Sequence, residues 1–248
     1  MATLHLLGTG AGFSGGDRTT TMLAFEQPGS VVVVDCGGDV VQRLQAAGVE
    51  LDRIEALVVT HEHADHVSGF PLFMEKIWLS GRRRPIPLYG PAPALAQARR
   101  CWESFETGGW KGVPEILWNE VALEEGAPVL ESEAWRITAA PGTHSVPVIG
   151  LRVEDRRGGG VAAYSCDTEE SEAIGRLAAG AALLAHEATG GFGGHTTPEG
   201  AARTAARAGA GRLVLVHLPP ELDAGELARA REIFSALEVG ADGQRFEF

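Results

Sequence analysis

Cysteine, basic charge and long apolar runs are all in short supply in this 248-residue chain. Its three cysteines, Cys36, Cys101 and Cys166, are too few and too scattered for a disulfide framework, so a reducing, cytoplasmic setting is expected. No apolar stretch approaches the ~20 residues that span a bilayer, and the N-terminus lacks the basic region of a signal peptide. No membrane association is therefore expected. Lys and Arg number 21 against 33 Asp and Glu, a formal net charge of −12. That balance disfavours broad, non-specific adhesion to nucleic acid or anionic membranes. Arg82-Arg83-Arg84 and Arg99-Arg100 are the candidate basic patches, and a solvated loop and a helix face explain them as well as a binding patch does. The turn Gly8-Thr9-Gly10-Ala11-Gly12 lacks the spacing and the Lys of a P-loop; it is read as a tight turn that brings backbone close to a site.

Imidazole, by contrast, is concentrated. His61-Glu62-His63-Ala64-Asp65-His66 places three histidines and a carboxylate within six residues, directly after the apolar run Ile54–Val59. That run has the length and β-branched content of a buried strand. Phe70, Phe73, Met74, Ile77 and Trp78 follow at helical spacing, so the cluster sits where a strand stops and a helix begins, close to a positive helix end. Neutral imidazole and carboxylate are the ligands that borderline divalent metals prefer. Adjacent side chains in an extended loop diverge, so one ion cannot easily take all four groups. His61 and His63 point one way, Asp65 and His66 another, which suits two ions.

At this length one domain over residues 1–248 is expected, with ample chain for a substantial core. Strands are expected at Leu4–Leu7, Thr20–Glu26 and Ser30–Val34, then a helix over Asp39–Ala47 with Gly48 as its stop signal. After the histidine loop and its helix come a strand from Ile86, a helix to about Phe105, an irregular segment Thr107–Pro114, and strand-like pieces at Val121–Leu123, Val129–Leu130 and Trp135–Ala139. Strands, a helix, then strands of the same kind suggest two similar halves. The second half repeats one pattern four times: Ile137–Ala140 leads to His144, Val161–Tyr164 to Asp167, Ala182–Ala185 to His186-Glu187, and Leu213–Val216 to His217. Ligand sites collect at such strand ends. Thr197, Pro198 and Glu199 signal a helix start just after His195, and an amphipathic helix is expected over Ala224–Leu237, with a closing strand at Gln244–Phe248.

With these residues in view, the chain resembles the metallo-β-lactamase superfamily and, within it, the ribonuclease Z-like group. The motif His-x-His-x-Asp-His at 61–66 carries the first likeness. His144-Ser145-Val146-Pro147, Cys166-Asp167-Thr168, His186-Glu187-Ala188-Thr189 and His195-Thr196-Thr197 carry the second. The resemblance implies an α/β fold, a four-layer αββα sandwich of two mixed sheets packed face to face with helices outside. It implies that His61, His63 and His144 hold one metal, that Asp65, His66 and His217 hold a second, and that Asp167 bridges them. Such a nitrogen and oxygen set without cysteine suits two zinc ions per chain, with manganese or iron as alternatives. Two ions roughly 3.5–4 Å apart trap a water, lower its pKa and clamp a phosphoryl group. A bridging hydroxide attacking a phosphodiester is the chemistry expected, with Asp65 orienting it. Glu187 and His195 resemble the group's acid pair, a carboxylate that keeps an imidazole protonated beside the leaving group. His186 and His5 are read as packing residues, and Cys166 as a small buried one.

Two departures from the group bear on substrate. Members that process transfer RNA carry a long arm between the equivalents of His144 and Asp167; here that gap is 23 residues, enough for two strands and the turn Asp155–Gly160. The basic loop after the first glycine turn keeps only Arg18. The leading expectation is thus a zinc phosphodiesterase for a small-molecule or short phosphodiester, with transfer RNA disfavoured and a homodimer left open. A transfer RNA 3′-end endoribonuclease, an ester, thioester or lactone hydrolase, and a non-catalytic metal protein are the alternatives.

Overall fold

In the computed structural model, which describes residues 1–248, the apolar runs become strands and the helical spacings become helices. β1 (Thr3–Gly8), β2 (Met22–Gln27) and β3 (Ser30–Val34) form an antiparallel meander. α1 (Val40–Ala46) then carries the chain to β4 (Ile54–Val58), the short α2 (Ala64–Val67) and α3 (Phe70–Leu79) to β5 (Ile86–Gly90), and α4 (Ala92–Glu103) to β6 (Ile116–Glu120). These last strands run parallel to β3 and to each other. The second half repeats the plan. β7 (Ala127–Glu131), β8 (Trp135–Pro141), β9 (Ile149–Asp155) and β10 (Val161–Tyr164) are antiparallel. α5 (Glu172–Leu177), β11 (Leu183–Glu187), α6 (Pro198–Ala208), β12 (Leu213–Val216), α7 (Ala224–Ile233) and β13 (Leu237–Val239) then continue that sheet in parallel. β14 (Arg245–Glu247) crosses back to pair with β1, so each sheet has seven strands.

The layers follow from which residues bury where. Every residue of β3 is buried because it lies inside its sheet with both faces covered. Val32 and Val34 join the inter-sheet core with Leu4, Phe25, Trp135, Ile137 and Leu151, while Val31 and Val33 turn outward to meet α1, α3 and α4. A third cluster packs the other sheet against α6 and α7 through small residues such as Ala201, Ala202 and Ala205. The result is the expected four-layer sandwich. Trp135, fully buried, donates its indole N–H to Ser30 Oγ at 2.8 Å and so pins one sheet to the other.

Two element boundaries differ from the sequence expectation. The strand expected at Val121–Leu123 lies earlier, at Ile116–Glu120, as an edge strand on β5. An edge strand buries little, so Asn119 and Glu120 give it a polar look, and Val121, although buried, falls in the following loop. The helix expected to run to Leu237 stops at Ile233, and Leu237 instead opens β13. Phe234 is already extended, at φ −141° and ψ 99°, and Leu213 donates to Ala236 O to begin the ladder.

Candidate metal centre

The carboxyl ends of the strands in both sheets meet along one edge of the sandwich, and each candidate residue sits at or just past such an end. His61 follows β4, His144 follows β8, Asp167 follows β10, Glu187 closes β11 and His217 follows β12. His63 lies immediately before α2, while Asp65 and His66 lie within it. Among the groups whose ligand atoms lie within 4.8 Å of one another are His61, His63, His144 and Asp167, and Asp65, His66 and His217; His61, His66 and Cys166, and Asp167, His195 and His217, lie as close. Asp167 reaches both of the first two groups. Its Oδ2 is 3.8 Å from His61 Nε2 and 3.3 Å from His217 Nε2, and its Oδ1 is 3.5 Å from His66 Nε2.

Hydrogen bonds on the far side of each ring decide which nitrogen faces inward. His66 Nδ1 lies 2.8 Å from Asp35 Oδ2, and His144 Nδ1 lies 2.7 Å from the Gly194 carbonyl; neither oxygen has a proton to give, so both nitrogens donate. Thr189 Oγ1 donates to the His217 carbonyl and therefore accepts from His217 Nδ1 at 2.7 Å. Thr60 Oγ1 donates to Asp35 and so accepts from His61 Nδ1 at 3.2 Å. Four rings thus turn Nε2 inward, the nitrogen through which a cation would be held. His61 Nε2 and His144 Nε2 face His63 Nδ1 at 3.1 and 3.2 Å. The buried Asp167 Oδ1 has no hydrogen-bond donor. Inward-facing ring nitrogens around an unpartnered carboxylate oxygen are what a cation site requires, and this set of nitrogen and oxygen ligands fits borderline divalent metals.

The electrostatics agree. Burial, reinforced by the neighbouring imidazoles, holds His61 well below the ordinary histidine value and lowers His63 as well, which keeps their lone pairs free. Burial works against ionising Asp167, yet the charges of His217 and His66 hold it well below the usual carboxylate range. Asp65 is likewise held down, against burial, by hydrogen bonds to His217 and His66. His66 is raised despite burial because Asp167 and Asp35 flank it. The space between these carboxylates favours positive charge, which a proton or a cation supplies.

Glu187 is fully buried and accepts from Thr168 N–H at 2.8 Å and Thr189 N–H at 3.0 Å. It caps the strand end, and it also holds His195 Nδ1 at 3.0 Å. Burial lowers the His195 pKa, but the Glu187 bond and charge outweigh it and raise the value overall. The other edge of His195 lies among Asp167 and His217. His186 and His5 take no part: His186 Nδ1 donates to the Glu187 carbonyl, and His5 pairs with Glu26. Burial pushes the Cys166 thiol up, as for a small packing residue.

Sequence reasoning passed over Asp35, which orients His66 and anchors Thr60. The signal was present, since Val31–Val34 leads into Asp35 just as the later strands lead into their ligands. Asp35, Cys166 and His217 are the only non-glycine residues with positive φ, at 62°, 53° and 52°. All three border the centre, at an expected cost of about 1–3 kcal/mol each. Glycine is required twice nearby. A Cβ on Gly37 would lie 1.8 Å from the Asp65 carbonyl oxygen, and one on Gly194 would lie 2.6 Å from His144 Nδ1.

The family model described as "Beta-lactamase superfamily domain" matches residues 31–218, a span that holds every side chain of the centre. The ribonuclease Z of Mycolicibacterium paratuberculosis is 30% identical, covering 100% of this chain and 98% of its own. The chain belongs to the ribonuclease Z-like hydrolases of the beta-lactamase superfamily. The ribonuclease Z of Methanothermobacter thermautotrophicus is 29% identical over 98% of this chain and 95% of its own. Solved structures share the fold: the metallo-beta-lactamase fold protein YhfI of Bacillus subtilis and the short form of human tRNase Z each give a TM-score of 0.81 at 22% identity, covering 99% of this chain and 98% of theirs. A diphosphatase from the PhnP family gives 0.79 at 20%, covering 100% of this chain and 98% of its own. The alignment to the M. paratuberculosis enzyme runs over 277 positions, so that relative carries segments with no counterpart in this hydrolase.

In this ribonuclease Z-like hydrolase several of the basic side chains are turned to structural use. Arg18 donates to Thr9 Oγ1 and to the Gly240 carbonyl, both at 2.6 Å. Arg82 is buried against the carbonyls of Ile54, Arg84 and Pro85, and Arg84 bonds the Asp52 carbonyl. Arg99 stacks over Trp118 at 4.4 Å. The cleft of about 380 Å³ over the centre is lined by Phe13, Phe192, Pro219 and Pro220 besides the polar groups already named, and by no Lys or Arg. No helix is long and apolar enough to cross a membrane.

Proposed function

We propose that this hydrolase is a two-metal phosphodiesterase for small phosphodiesters, zinc being the metal its donor set suits best. The convergence of five imidazoles and two carboxylates on one space, with the buried Asp167 Oδ1 left without a partner, carries this reading. His61, His63 and His144 would hold one ion, Asp65, His66 and His217 the other, and Asp167 both. When bound, such ions acidify a water and polarise a phosphoryl oxygen.

The remaining work falls to the side chains. Asp167 is sealed at 3% side-chain exposure while Asp65 keeps 20%, so Asp65 is the carboxylate placed to accept a hydrogen bond from the attacking water. Glu187, immobilised by two backbone N–H groups, fixes the His195 ring so that its outward N–H faces the reacting group. There it stabilises a phosphoryl oxygen and gives its proton to a departing alkoxide, with Glu187 holding the compensating charge.

The curated relatives' name, ribonuclease Z, favours an RNA substrate. Against it stand the tight connection from β9 to β10 at 156–160, where an arm would emerge, and the structural use of Arg18. The two readings separate in one comparison. Metal-loaded protein should hydrolyse bis(p-nitrophenyl) phosphate while cutting a 3′-extended transfer RNA slowly or not at all. Efficient, position-specific RNA cutting at moderate salt would reverse the ranking, and inactivity on every phosphodiester would remove the reading.

A further inference from the structure

Of the three exposed phenylalanines in the chain, two stand over the same cleft. Phe13 is 82% exposed and Phe192 is 58% exposed, and both line the space above the metal centre, whereas Phe105 does not. Phe13 comes from the loop after β1, and Phe192 from the loop between β11 and α6. Each is carried on glycine: Phe13 lies between Gly12 and Ser14-Gly15-Gly16, and Phe192 is the only side chain in Gly190-Gly191-Phe192-Gly193-Gly194. The Phe192 ring centroid lies 4.8 Å from that of His195, so this aromatic face adjoins the leaving-group side of the centre. Pro219 and Pro220 add flat apolar surface beyond His217.

An exposed aromatic ring is unfavourable in water unless something covers it during use. The cleft supplies no Asn, Gln, Ser, Lys or Arg side chain, and the Thr189 hydroxyl is already engaged at His217. Whatever hangs from the phosphate is therefore met by ring faces and not by edge-reading hydrogen bonds. Phenylalanine and proline faces suit a flat π-system, and every nucleobase offers one whatever its identity.

We infer that Phe13 and Phe192 form an aromatic slot that selects phosphodiesters bearing a nucleobase, without preference among bases. This rests on the phosphodiesterase reading for the position of the phosphate. Because the slot acts on the attached group alone, binding tests it apart from turnover. The zinc-loaded protein is titrated with the fluorescent nucleotide 1,N6-ethenoadenosine 5′-monophosphate, followed by anisotropy. AMP, CMP, ribose 5-phosphate and octyl phosphate then compete for the site. AMP and CMP should displace the probe at concentrations at least about tenfold below ribose 5-phosphate, within the range one base–aromatic stack gives. Octyl phosphate should resemble ribose 5-phosphate. In Phe192→Ala and Phe13→Ala the AMP-to-ribose-5-phosphate ratio should collapse toward one, and Phe192→Trp should keep or widen it. Equal affinities for AMP and ribose 5-phosphate in the parent protein would overturn the inference, as would preference for octyl phosphate or an unchanged ratio in both alanine variants. If base selectivity appears without phosphodiester hydrolysis, the slot stands and the activity reading fails. If hydrolysis appears without base selectivity, the activity reading stands and the slot fails.

Discussion

The two halves of the sandwich furnish the candidate metal centre in different ways. The first half contributes His61, His63, Asp65 and His66 from one loop and a single short helix, α2. The second contributes His144, Asp167 and His217 singly, each from the end of a different strand. The first set is held locally, by the turn itself and by the contact of Gly37 with the Asp65 carbonyl. The second set converges only when β8, β10 and β12 are in register and their sheet is packed on the other. One half therefore encodes its candidate ligands in a motif, the other in a topology. Removing a residue that belongs to both groups should hurt most.

That residue is Asp167. Asp167→Ala should take metal content from two equivalents per chain to one or fewer and bring hydrolysis to background, because each group of ligands loses its shared carboxylate. His63→Ala touches one group only and should leave a larger fraction of the metal behind, though activity should still be lost. Elemental analysis alongside phosphodiester turnover checks both. Full activity in metal-free protein would remove the metal reading altogether.

The same contrast explains what was legible in the sequence. The cluster at 61–66 is visible to the eye because its residues are adjacent. The second-half ligands were visible because four apolar runs each ended on a candidate residue. Asp35 obeys the same rule in the first half, but nothing in the sequence joins it to its partner His66, 31 residues away. Thr189 and the Gly194 carbonyl were illegible for a different reason. Their role is to orient His217 and His144 through hydrogen bonds that exist only once two loops meet. The four-layer fold was readable from strand and helix spacing together with the family likeness. The edge strand β6 and the break between α7 and β13 were not, because edge and surface elements bury too little to impose a pattern.

His195 approaches Asp167 and His217 but is not needed to complete either proposed ligand set, so its loss should separate chemistry from metal binding. His195→Ala should keep its metal and lose roughly 10²–10⁴-fold in rate on substrates with alkoxide leaving groups. The loss should shrink for nitrophenolate, which departs without a proton. Glu187→Gln should follow the same dependence more weakly. Equal losses across leaving groups, or depleted metal, would make His195 structural or a ligand.

Asp35 tests whether the first half is as self-sufficient as its motif suggests. It contributes no atom to the centre but fixes the His66 ring and, through Thr60, the His61 ring. Asp35→Asn should weaken metal affinity by about 10- to 100-fold, the usual effect of losing a partner behind a ligand. Activity should return when excess zinc is supplied. Failure of excess metal to rescue it would mean that Asp35 holds the fold at the strand end and not the ligand geometry.

The smallest expected effect concerns Arg18, the remnant of the basic loop. If it gripped substrate, its loss would lower activity and leave stability alone. The hydrogen bonds argue for the reverse. Arg18 ties the loop after β1 to Thr9 and to the Gly240 carbonyl. Asp242 gathers Thr9, the Thr19 N–H and Arg43 at the same place. The guanidinium thus joins the start of the chain to the segment leading into β14. Hydrogen bonds to a charged group are worth about 1.5–3 kcal/mol each when buried, and less here because the site is only partly covered. Arg18→Ala should therefore cost about 1–2 kcal/mol, which lowers Tm by roughly 2–8 °C in a chain of this size. Hydrolysis of a small phosphodiester at 25 °C should change by no more than about twofold, the scale of an ordinary surface substitution. A stable variant with strongly reduced activity would restore Arg18 to substrate binding and reopen the case for an RNA-gripping loop.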